Sequence, residues 1–193
     1  MVLHGHSWFS RHEDTWLMIT FVKGNIFDSP TQVLTNTVNC VGVMGKGLAL
    51  EFKNRFPALF EDYKQRCARG QVRPGEPYLW ENEKIQVLNF PTKRHWKDDS
   101  RLADIEAGLR YLAAHYQEMG IYTLALPPLG CGQGNLHWED VRPLVVEHLG
   151  SLEDLEVFVY EPTAKADQKS PWDQEDTQPS YPRPPLAARP DLP

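Results

Sequence analysis

The residues of this chain that could do chemistry lie in three short segments, each directly after an apolar run. The first segment, residues 36–47, contains glycines at positions 42, 45 and 47 and leads into a helical pattern from Leu48. Glycine allows the backbone to approach an anion closely, and the N–H groups at a helix start can bind that anion. The spacing matches neither a P-loop nor a dinucleotide fingerprint. This segment alone therefore leaves two alternatives open, anion binding or a plain strand-to-helix turn.

The second segment, residues 130–135, is also rich in glycine and follows the apolar run 124–129. A helical pattern begins after it, near Trp138. Two strand–glycine loop–helix units in one small domain favour two loops that close on one extended ligand. In open α/β sheets such a ligand binds beyond the carboxyl ends of the strands.

The third segment, residues 91–100, combines positive charge with aromatic side chains directly after a predicted strand. Cations beside a stacking surface are the usual means of binding a single nucleic-acid strand. Two other interpretations stay open at this point. A lysine in a loop is often only a solvated charge, and Trp96 could pack against the helix that follows.

Composition restricts the class of protein. The chain has 193 residues, a formal net charge of −6 and 41% hydrophobic residues, which is enough for the core of one domain. The negative charge excludes a general attraction to nucleic acid, so any contact with DNA must come from a local patch. Cys40, Cys67 and Cys131 form no C-x-x-C pair, which argues against a disulfide scaffold or a zinc site and for a reducing compartment. No apolar run approaches about 18 residues and no signal peptide is visible, so we expect a soluble cytoplasmic protein.

Strand and helix patterns alternate from residue 18 to residue 162, which predicts a three-layer α/β/α domain with a mixed, largely parallel central sheet. The predicted strands are 19–23, 33–37, 78–80, 85–90, 121–127 and 155–160, and the predicted helices are 48–56, 57–69, 102–119 and 138–149. Apolar residues at 102, 105, 109 and 112 make the third helix amphipathic. We expect residues 1–17 to be an N-terminal extension. We expect residues 163–193, which are rich in proline and polar residues, to be a disordered tail.

Together these segments resemble the macrodomain family, the ADP-ribose-binding fold. Residues 36–47, 89–93 and 127–132 are similar to motifs of the branch that contains the DNA ADP-ribosyl glycohydrolase antitoxin DarG and the animal terminal ADP-ribose protein glycohydrolase. The resemblance implies an enzyme that removes ADP-ribose from thymine in single-stranded DNA. It also implies a partner toxin of the DarT type, which attaches ADP-ribose from NAD. It implies no cofactor and no metal, and we expect a monomer.

The resemblance gives the catalytic role to Lys93, the lysine directly after Phe-Pro-Thr at a strand end. Cleavage of an N-glycosidic bond leaves an oxocarbenium-like anomeric carbon, which a deprotonated amine could attack to open the ribose as a Schiff base. Neighbouring Arg94 and Lys97, and burial under the ligand, favour the deprotonated amine. Alternatively, Lys93 acts electrostatically or donates a proton to the departing thymine. Lys97 is the second candidate for the catalytic role.

The same resemblance implies a binding cleft for ADP-ribose along the loops. Asn25 stands where many macrodomains place the aspartate that binds adenine. Asn39 corresponds to a polar residue near the distal ribose, unless it only caps a turn. The glycine-rich loops would surround the distal ribose and hold the diphosphate through backbone N–H groups. The predicted binding set is Asn25, Ile26, Asn39, Gly42, Val43, Met44, Gly45, Gly47, Thr92, Pro128, Gly130, Cys131, Gly132, Gln133, Gly134 and Asn135. The predicted DNA contacts are Arg94, His95, Trp96 and Lys97.

Other functions stay open from the sequence. In the animal relative an acidic residue of the second loop assists the lysine, whereas residues 132–135 contain no carboxylate. Cys131 has no evident His or Asp partner and is interpreted as a small lining residue. The same cleft could serve a hydrolase of ADP-ribose esters, including O-acetyl-ADP-ribose, or a non-catalytic ADP-ribose reader. Lys93 favours an enzyme over a reader, and the basic aromatic segment favours DNA over protein.

Overall fold

The structure is a computed structural model and describes residues 18–162 of the chain. The predictions for residues 1–17 and 163–193 lie outside the described residues. The strands are β1 (Ile19–Val22), β2 (Val33–Asn39), β3 (Tyr78–Glu81), β4 (Gln86–Lys93), β5 (Thr123–Leu126) and β6 (Glu156–Tyr160). The helices are α1 (Gly47–Arg55), α2 (Pro57–Ala68), α3 (Leu102–His115) and α4 (Trp138–Leu149), with a short 3-10 helix at Ile26–Asp28.

The six strands form one sheet in the order β1-β6-β5-β2-β4-β3. All neighbouring strands are parallel except β3 and β4, which are antiparallel. This arrangement confirms the predicted mixed, largely parallel sheet. Because β2 lies between β5 and β4, the loops that follow these three strands meet at one edge of the sheet.

Helices cover both faces of the sheet and pack on it through apolar side chains, which confirms the three-layer arrangement. The larger cluster joins α3 and α4 to the sheet and includes Leu109 and Val145. On the other face, two smaller clusters include Phe52 of α1 and Tyr63 of α2. Successive side chains of β2 point to opposite faces of the sheet, so that Val33 belongs to the larger cluster and its neighbour Leu34 to a smaller one.

The structure corrects several predicted element boundaries. β2 continues to Asn39 and β4 continues to Lys93, because the parallel pairing of these strands extends until those two residues are partners. Thr92 and Lys93 are therefore strand residues. The third helix ends at His115 and is followed by turns up to Gly120. Among the described helices, none is long and apolar enough to cross a membrane.

Candidate functional site

Three loops meet beyond the carboxyl ends of the central strands. We name them the first glycine loop (residues 40–46, after β2), the basic loop (residues 94–101, after β4) and the second glycine loop (residues 127–137, after β5). A backbone hydrogen bond joins the first two, since the Cys40 N–H donates to the Arg94 carbonyl oxygen at 3.3 Å. The three predicted chemical segments therefore lie together at one edge of the sheet.

Lys93 connects two of these loops through its amine. It is the half-buried last residue of β4. Its Nζ donates to the carbonyl oxygen of Gln133 at 2.8 Å and to that of Trp96 at 3.0 Å. These two bonds occupy two of the three N–H positions of an ammonium group. The remaining position carries either a third proton or, in the neutral amine, the lone pair that a nucleophile needs.

The second glycine loop is also joined to the basic loop at its far end. The Ser100 N–H donates to the Gly134 carbonyl oxygen at 2.9 Å, and Asn135 Nδ2 donates to Asp99 Oδ1 at 2.6 Å. Asn135 has a φ of 59°, a left-handed conformation that asparagine tolerates better than most residues. The two loops therefore form one connected wall.

This wall presents unused backbone donors. The N–H groups of Gly132, Gln133 and Gly134 donate to no other group in the part of the chain that the structure describes. Gly132 and Gln133 are exposed, whereas Gly134 is buried against Ser100. Successive unpaired N–H groups form a concave site for an anion. This geometry fits the predicted role of the second glycine loop in holding a diphosphate, which stays a prediction.

Asn39 organises the first glycine loop. Its Oδ1 accepts from the Val41 N–H at 3.0 Å and from the Tyr63 hydroxyl at 2.9 Å, and its Nδ2 donates to the Val43 carbonyl oxygen at 2.6 Å. Burial raises the pKa of the Tyr63 hydroxyl, which keeps it a hydrogen-bond donor. These contacts correspond to the turn-capping alternative, and a contact between Asn39 and ribose remains a prediction.

The other predicted residues of the first glycine loop differ in exposure. Met44 is 1% exposed and its side chain belongs to a core cluster, so it can offer only its backbone to a ligand. Val43 is exposed, as are Gly45 and the adjoining Gly47, the first residue of α1. Gly42 has a φ of 80°, where a side chain would be strained, and a Cβ there would lie 3.6 Å from Cys67 Cβ, an ordinary contact.

Asn25, predicted to bind adenine, and Ile26 lie beyond the carboxyl end of β1, the outer strand on the other side of the sheet from β3. Asn25 follows β1, and its Oδ1 accepts from the Phe27 N–H at 3.1 Å. Ile26 is buried in a core cluster with Phe52 and Ala125. Since β6 and β5 separate β1 from β2, Asn25 lies roughly 14 Å along the sheet from the first glycine loop. This separation suits an extended ligand.

Arg94 is paired within the protein. Its Nε and Nη2 donate to the two carboxylate oxygens of Asp104 at 2.9 and 3.0 Å. Asp104 is 8% exposed, and hydrogen bonding to Arg94 holds the pKa of its carboxyl below the usual range. The positive charge beside Lys93 is thus balanced by a carboxylate. The predicted contact between Arg94 and DNA stays untested.

Trp96 and Lys97 form the exposed part of the basic loop. Trp96 is 49% exposed and stacks against the His95 ring with centroids 5.6 Å apart. Lys97 Nζ lies 5.0 Å from the centre of the Trp96 ring. His95 Nδ1 accepts from the Lys97 N–H at 3.2 Å, which fixes the imidazole orientation. Because nearly half of the Trp96 side chain faces solvent, the indole has a free surface for stacking, and its predicted contact with DNA stays a prediction.

The remaining predicted binding residues are Cys131, Thr92 and Pro128, and they differ in burial. Cys131 is half-buried with Sγ 3.4 Å from the Leu129 carbonyl oxygen. Burial, with Glu139 and Asp140 nearby, raises the pKa of the Cys131 thiol to about 11. Its interpretation as a lining residue agrees with a neutral thiol. Thr92 is buried within the sheet, and Pro128 is half-buried.

Sequence reasoning missed four residues that support the site: Tyr63, Asp99, Ser100 and Asp104. Tyr63 and Asp104 lie on helices, where each reads as an ordinary helical residue. Asp99 and Ser100 lie inside the third chemical segment, but nothing in their spacing indicates a partner in the second glycine loop. Only Asp104 carried a usable signal, a carboxylate in the first turn of α3 close in sequence to Arg94.

Comparison with known proteins agrees with this site. The sequence profile of the macro domain matches residues 35–145. The DNA ADP-ribosyl glycohydrolase of Thermus aquaticus is 45% identical over 149 residues, which cover 75% of this chain and 41% of that protein. The solved macrodomain of Mycobacterium tuberculosis DarG is 43% identical with a TM-score of 0.73, and the match covers 76% of this chain and 99% of the other. The structure of Thermosipho africanus DarTG in complex with ADP-ribose is 38% identical with a TM-score of 0.72, covering 78% of this chain and 44% of the other.

The chain therefore belongs to the macro domain family. Within that family its similarity is to the macrodomains of DarG proteins, as the three motifs predicted. The chain spans less than half the length of the curated DNA ADP-ribosyl glycohydrolases that it matches, since the matches cover 41% and 43% of those proteins.

Proposed function

We propose that this domain is a DNA ADP-ribosyl glycohydrolase, which removes ADP-ribose from thymidine in single-stranded DNA and so opposes a DarT-type toxin. Relatives from Thermus aquaticus and Mycobacterium tuberculosis are named DNA ADP-ribosyl glycohydrolases. A relative from Thermosipho africanus is named as a fusion of the DNA ADP-ribosyl transferase and the glycohydrolase. These names support the proposed substrate and the proposed partner.

The observation that carries the proposal is the position of the Lys93 amine. It lies between the carbonyl oxygens of Trp96 and Gln133, where the basic loop meets the second glycine loop. The second glycine loop offers unpaired N–H groups suited to a diphosphate, and the basic loop offers an exposed indole suited to a base. The bond between ADP-ribose and thymine would lie between these two surfaces, beside Lys93.

Two roles of Lys93 are compatible with this geometry. In the Schiff-base route, Nζ attacks the anomeric carbon, the bond from that carbon to thymine breaks, and thymine leaves with the bonding electrons and takes up a proton. The ring oxygen then leaves the same carbon, an imine forms with Nζ, and water hydrolyses the imine to release ADP-ribose. In the electrostatic route, the third N–H of the ammonium group stabilises or protonates the departing thymine, and water attacks the anomeric carbon directly.

The decisive experiment uses a single-stranded oligonucleotide that carries ADP-ribose on one thymine. Release of ADP-ribose is compared for the wild type, Lys93→Ala and Lys97→Ala, and ADP-ribose binding is measured by calorimetry. We expect Lys93→Ala to lower the rate by roughly 10²–10⁴-fold, with ADP-ribose binding retained and Lys97→Ala still active.

Full activity of Lys93→Ala would contradict the assignment of the lysine. Tight ADP-ribose binding without release by the wild type would contradict the proposed activity and favour a reader. Release from modified acidic side chains or O-acetyl-ADP-ribose, but not from DNA, would favour the ester hydrolase.

A further inference from the structure

The α1–α2 hairpin carries a concentration of positive charge that lies largely outside the three chemical segments. Residues 46–73 contain seven Lys or Arg residues and three Asp or Glu residues, a net charge of +4, whereas the whole chain has a net charge of −6. We name the surface formed by Lys46, Lys53 and Lys64 the basic face of the hairpin. A local excess of this sign inside an acidic protein attracts polyanions to one place on the surface.

Part of the positive charge in the hairpin is balanced and part is not. Arg55 pairs with Glu51 at 2.7 Å, and Arg66 pairs with Asp62 at 2.7 Å. Lys64 has a looser and exposed pair with Glu61 at 3.3 Å. Lys46, Lys53 and Arg69 form no ion pair with any residue between 18 and 162. The basic face therefore keeps charge available for a partner.

The basic face begins at the candidate site. Lys46 is exposed and is the last residue of the first glycine loop. Lys64 lies against the same loop, since a side-chain carbon built on Gly42 would be 3.8 Å from Lys64 Cα and Cγ. Lys53 and Lys64 both approach the Phe60 ring, with Nζ atoms 4.5 and 5.2 Å from its centre. Lys46 and Lys64 therefore adjoin the first glycine loop, and Lys53 lies beside Lys64 around the Phe60 ring.

The basic loop, which the Cys40–Arg94 hydrogen bond joins to the first glycine loop, also presents Trp96 and Lys97 to solvent. A strand whose modified base enters the site would thus have positive charge available on the basic loop and on the basic face. The lysines of the basic face are point charges on flexible stems, which suit a repeating chain of phosphates better than one small anion.

We propose that the basic face of the α1–α2 hairpin binds the phosphodiester backbone of the single strand that flanks the modified thymidine. The inference rests on the proposed function, because it supplies the surface that holds the rest of the same substrate. Binding there contributes to affinity for long substrates and not to the chemical step.

The test compares a modified oligonucleotide of about 12 nucleotides with the modified mononucleotide, which has no flanking phosphates. The double variant Lys53→Gln/Lys64→Gln removes two charges from the basic face. The matched control, Lys84→Gln/Arg110→Gln, removes two exposed charges elsewhere. Lys84 lies in the β3–β4 turn at the opposite end of β4 from Lys93, and Arg110 lies on α3 on the other face of the sheet.

We expect the double variant to raise KM for the oligonucleotide roughly tenfold, about threefold per lysine. The slope of log(kcat/KM) against log salt should become less steep by about 1.4, or about 0.7 for each phosphate that is no longer neutralised. Turnover of the modified mononucleotide, and the melting temperature, should match those of the control variant. An oligonucleotide KM and salt slope equal to those of the control would overturn the proposal.

Failure of the proposed function is distinguishable from failure of this inference. If the wild type releases no ADP-ribose from modified DNA, fluorescence anisotropy still measures how tightly the protein binds an unmodified fluorescent strand of the same length. Weaker binding by Lys53→Gln/Lys64→Gln than by the control supports the basic face in that case, and equal binding overturns it.

Discussion

Lys93 is held by the backbone of two loops, and its position therefore depends on loop structure more than on neighbouring charges. Its two hydrogen-bond acceptors are the carbonyl oxygens of Trp96 and Gln133. The adjacent charge of Arg94 is directed away to Asp104. At the residue scale, the question is whether the third position of the amine carries a lone pair or a proton at the moment of reaction.

Substitution of Lys93 by arginine separates these two roles. Arginine keeps the positive charge and can still donate hydrogen bonds, but it cannot form an imine. If Lys93 is the nucleophile, we expect Lys93→Arg to be as inactive as Lys93→Ala. In addition, borohydride reduction during turnover should add ADP-ribose covalently to the wild type, as measured by intact-protein mass. Substantial activity of Lys93→Arg, with no trapped adduct, would support the electrostatic route instead.

Asp104 should stabilise the fold in a pH-dependent way. A carboxyl whose folded-state pKa is lowered contributes stability that is present above its unfolded pKa, near 4, and is lost as the pH falls through the folded value. We therefore expect Asp104→Asn to lower the melting temperature by about 2–4 °C at pH 7 and by progressively less below pH 4.

The control for Asp104 is Asp98→Asn, an exposed substitution in the basic loop that should have little effect at either pH. Thermal melts at pH 7 and pH 3 measure both variants. A difference between Asp104→Asn and the wild type that persists undiminished at pH 3 would argue against the ion pair as the cause.

At the scale of elements, the second glycine loop depends on close packing against the end of the basic loop, just before α3. Gly130 and Gly134 both lie against Ser100, and Gly130 has a φ of 71°. A side chain at either position would meet Ser100. The shape of the anion-binding loop is therefore set by the end of the basic loop, and the two loops should change shape together.

Gly134→Ala tests this packing. The added methyl group would overlap the Ser100 hydroxyl and the Gly130 carbonyl oxygen, so we expect a lower melting temperature and at least a tenfold loss in ADP-ribose affinity, roughly the cost of displacing one or two backbone donors. Gly132→Ala is the matched control for stability, since no atom lies within 4 Å of its added methyl group. Equal melting temperatures for the two variants would show that the loop accommodates the methyl group at position 134 without a loss of stability.

At the scale of the whole molecule, the sheet is covered by helices on both faces, and each face has its own core. The α3–α4 face holds the larger cluster and supports β4, the strand that ends at Lys93. The α1–α2 face holds smaller clusters and presents the basic face to solvent. The larger core cluster and the basic face therefore lie on opposite faces of the sheet.

Leu109→Ala should therefore destabilise the whole domain. Leu109 is fully buried in the larger cluster, and its truncation should lower the free energy of unfolding by about 2–5 kcal/mol. Leu102, two turns earlier on α3, is 37% exposed, so Leu102→Ala should cost no more than about 0.5 kcal/mol. Urea denaturation measures both. Similar losses for the two variants would show that the periodicity of α3 does not describe its packing.

The periodicity of α3 also shows how far the sequence could lead. Positions 102, 105, 109 and 112 share one helix face, and the last three are buried as that pattern indicates. Leu102, the first residue of the helix, is 37% exposed instead. The strand bounds at Asn39 and Lys93 were missed as well. The pairing between two strands, and not the local pattern of either, decides where they end.

The sequence by itself determined the alternation of strands and helices, the three loops and the position of Lys93 at a strand end. These features are local, since they follow from apolar periodicity, glycine spacing and a motif of consecutive residues. The tertiary structure alone decided which groups those residues contact. Arg94 bonds to a residue 10 positions away, Asn39 to one 24 away, and Lys93 to one 40 away. No local pattern encodes such pairs, because they form only when parallel strands bring the ends of separate chain segments to the same edge of the sheet.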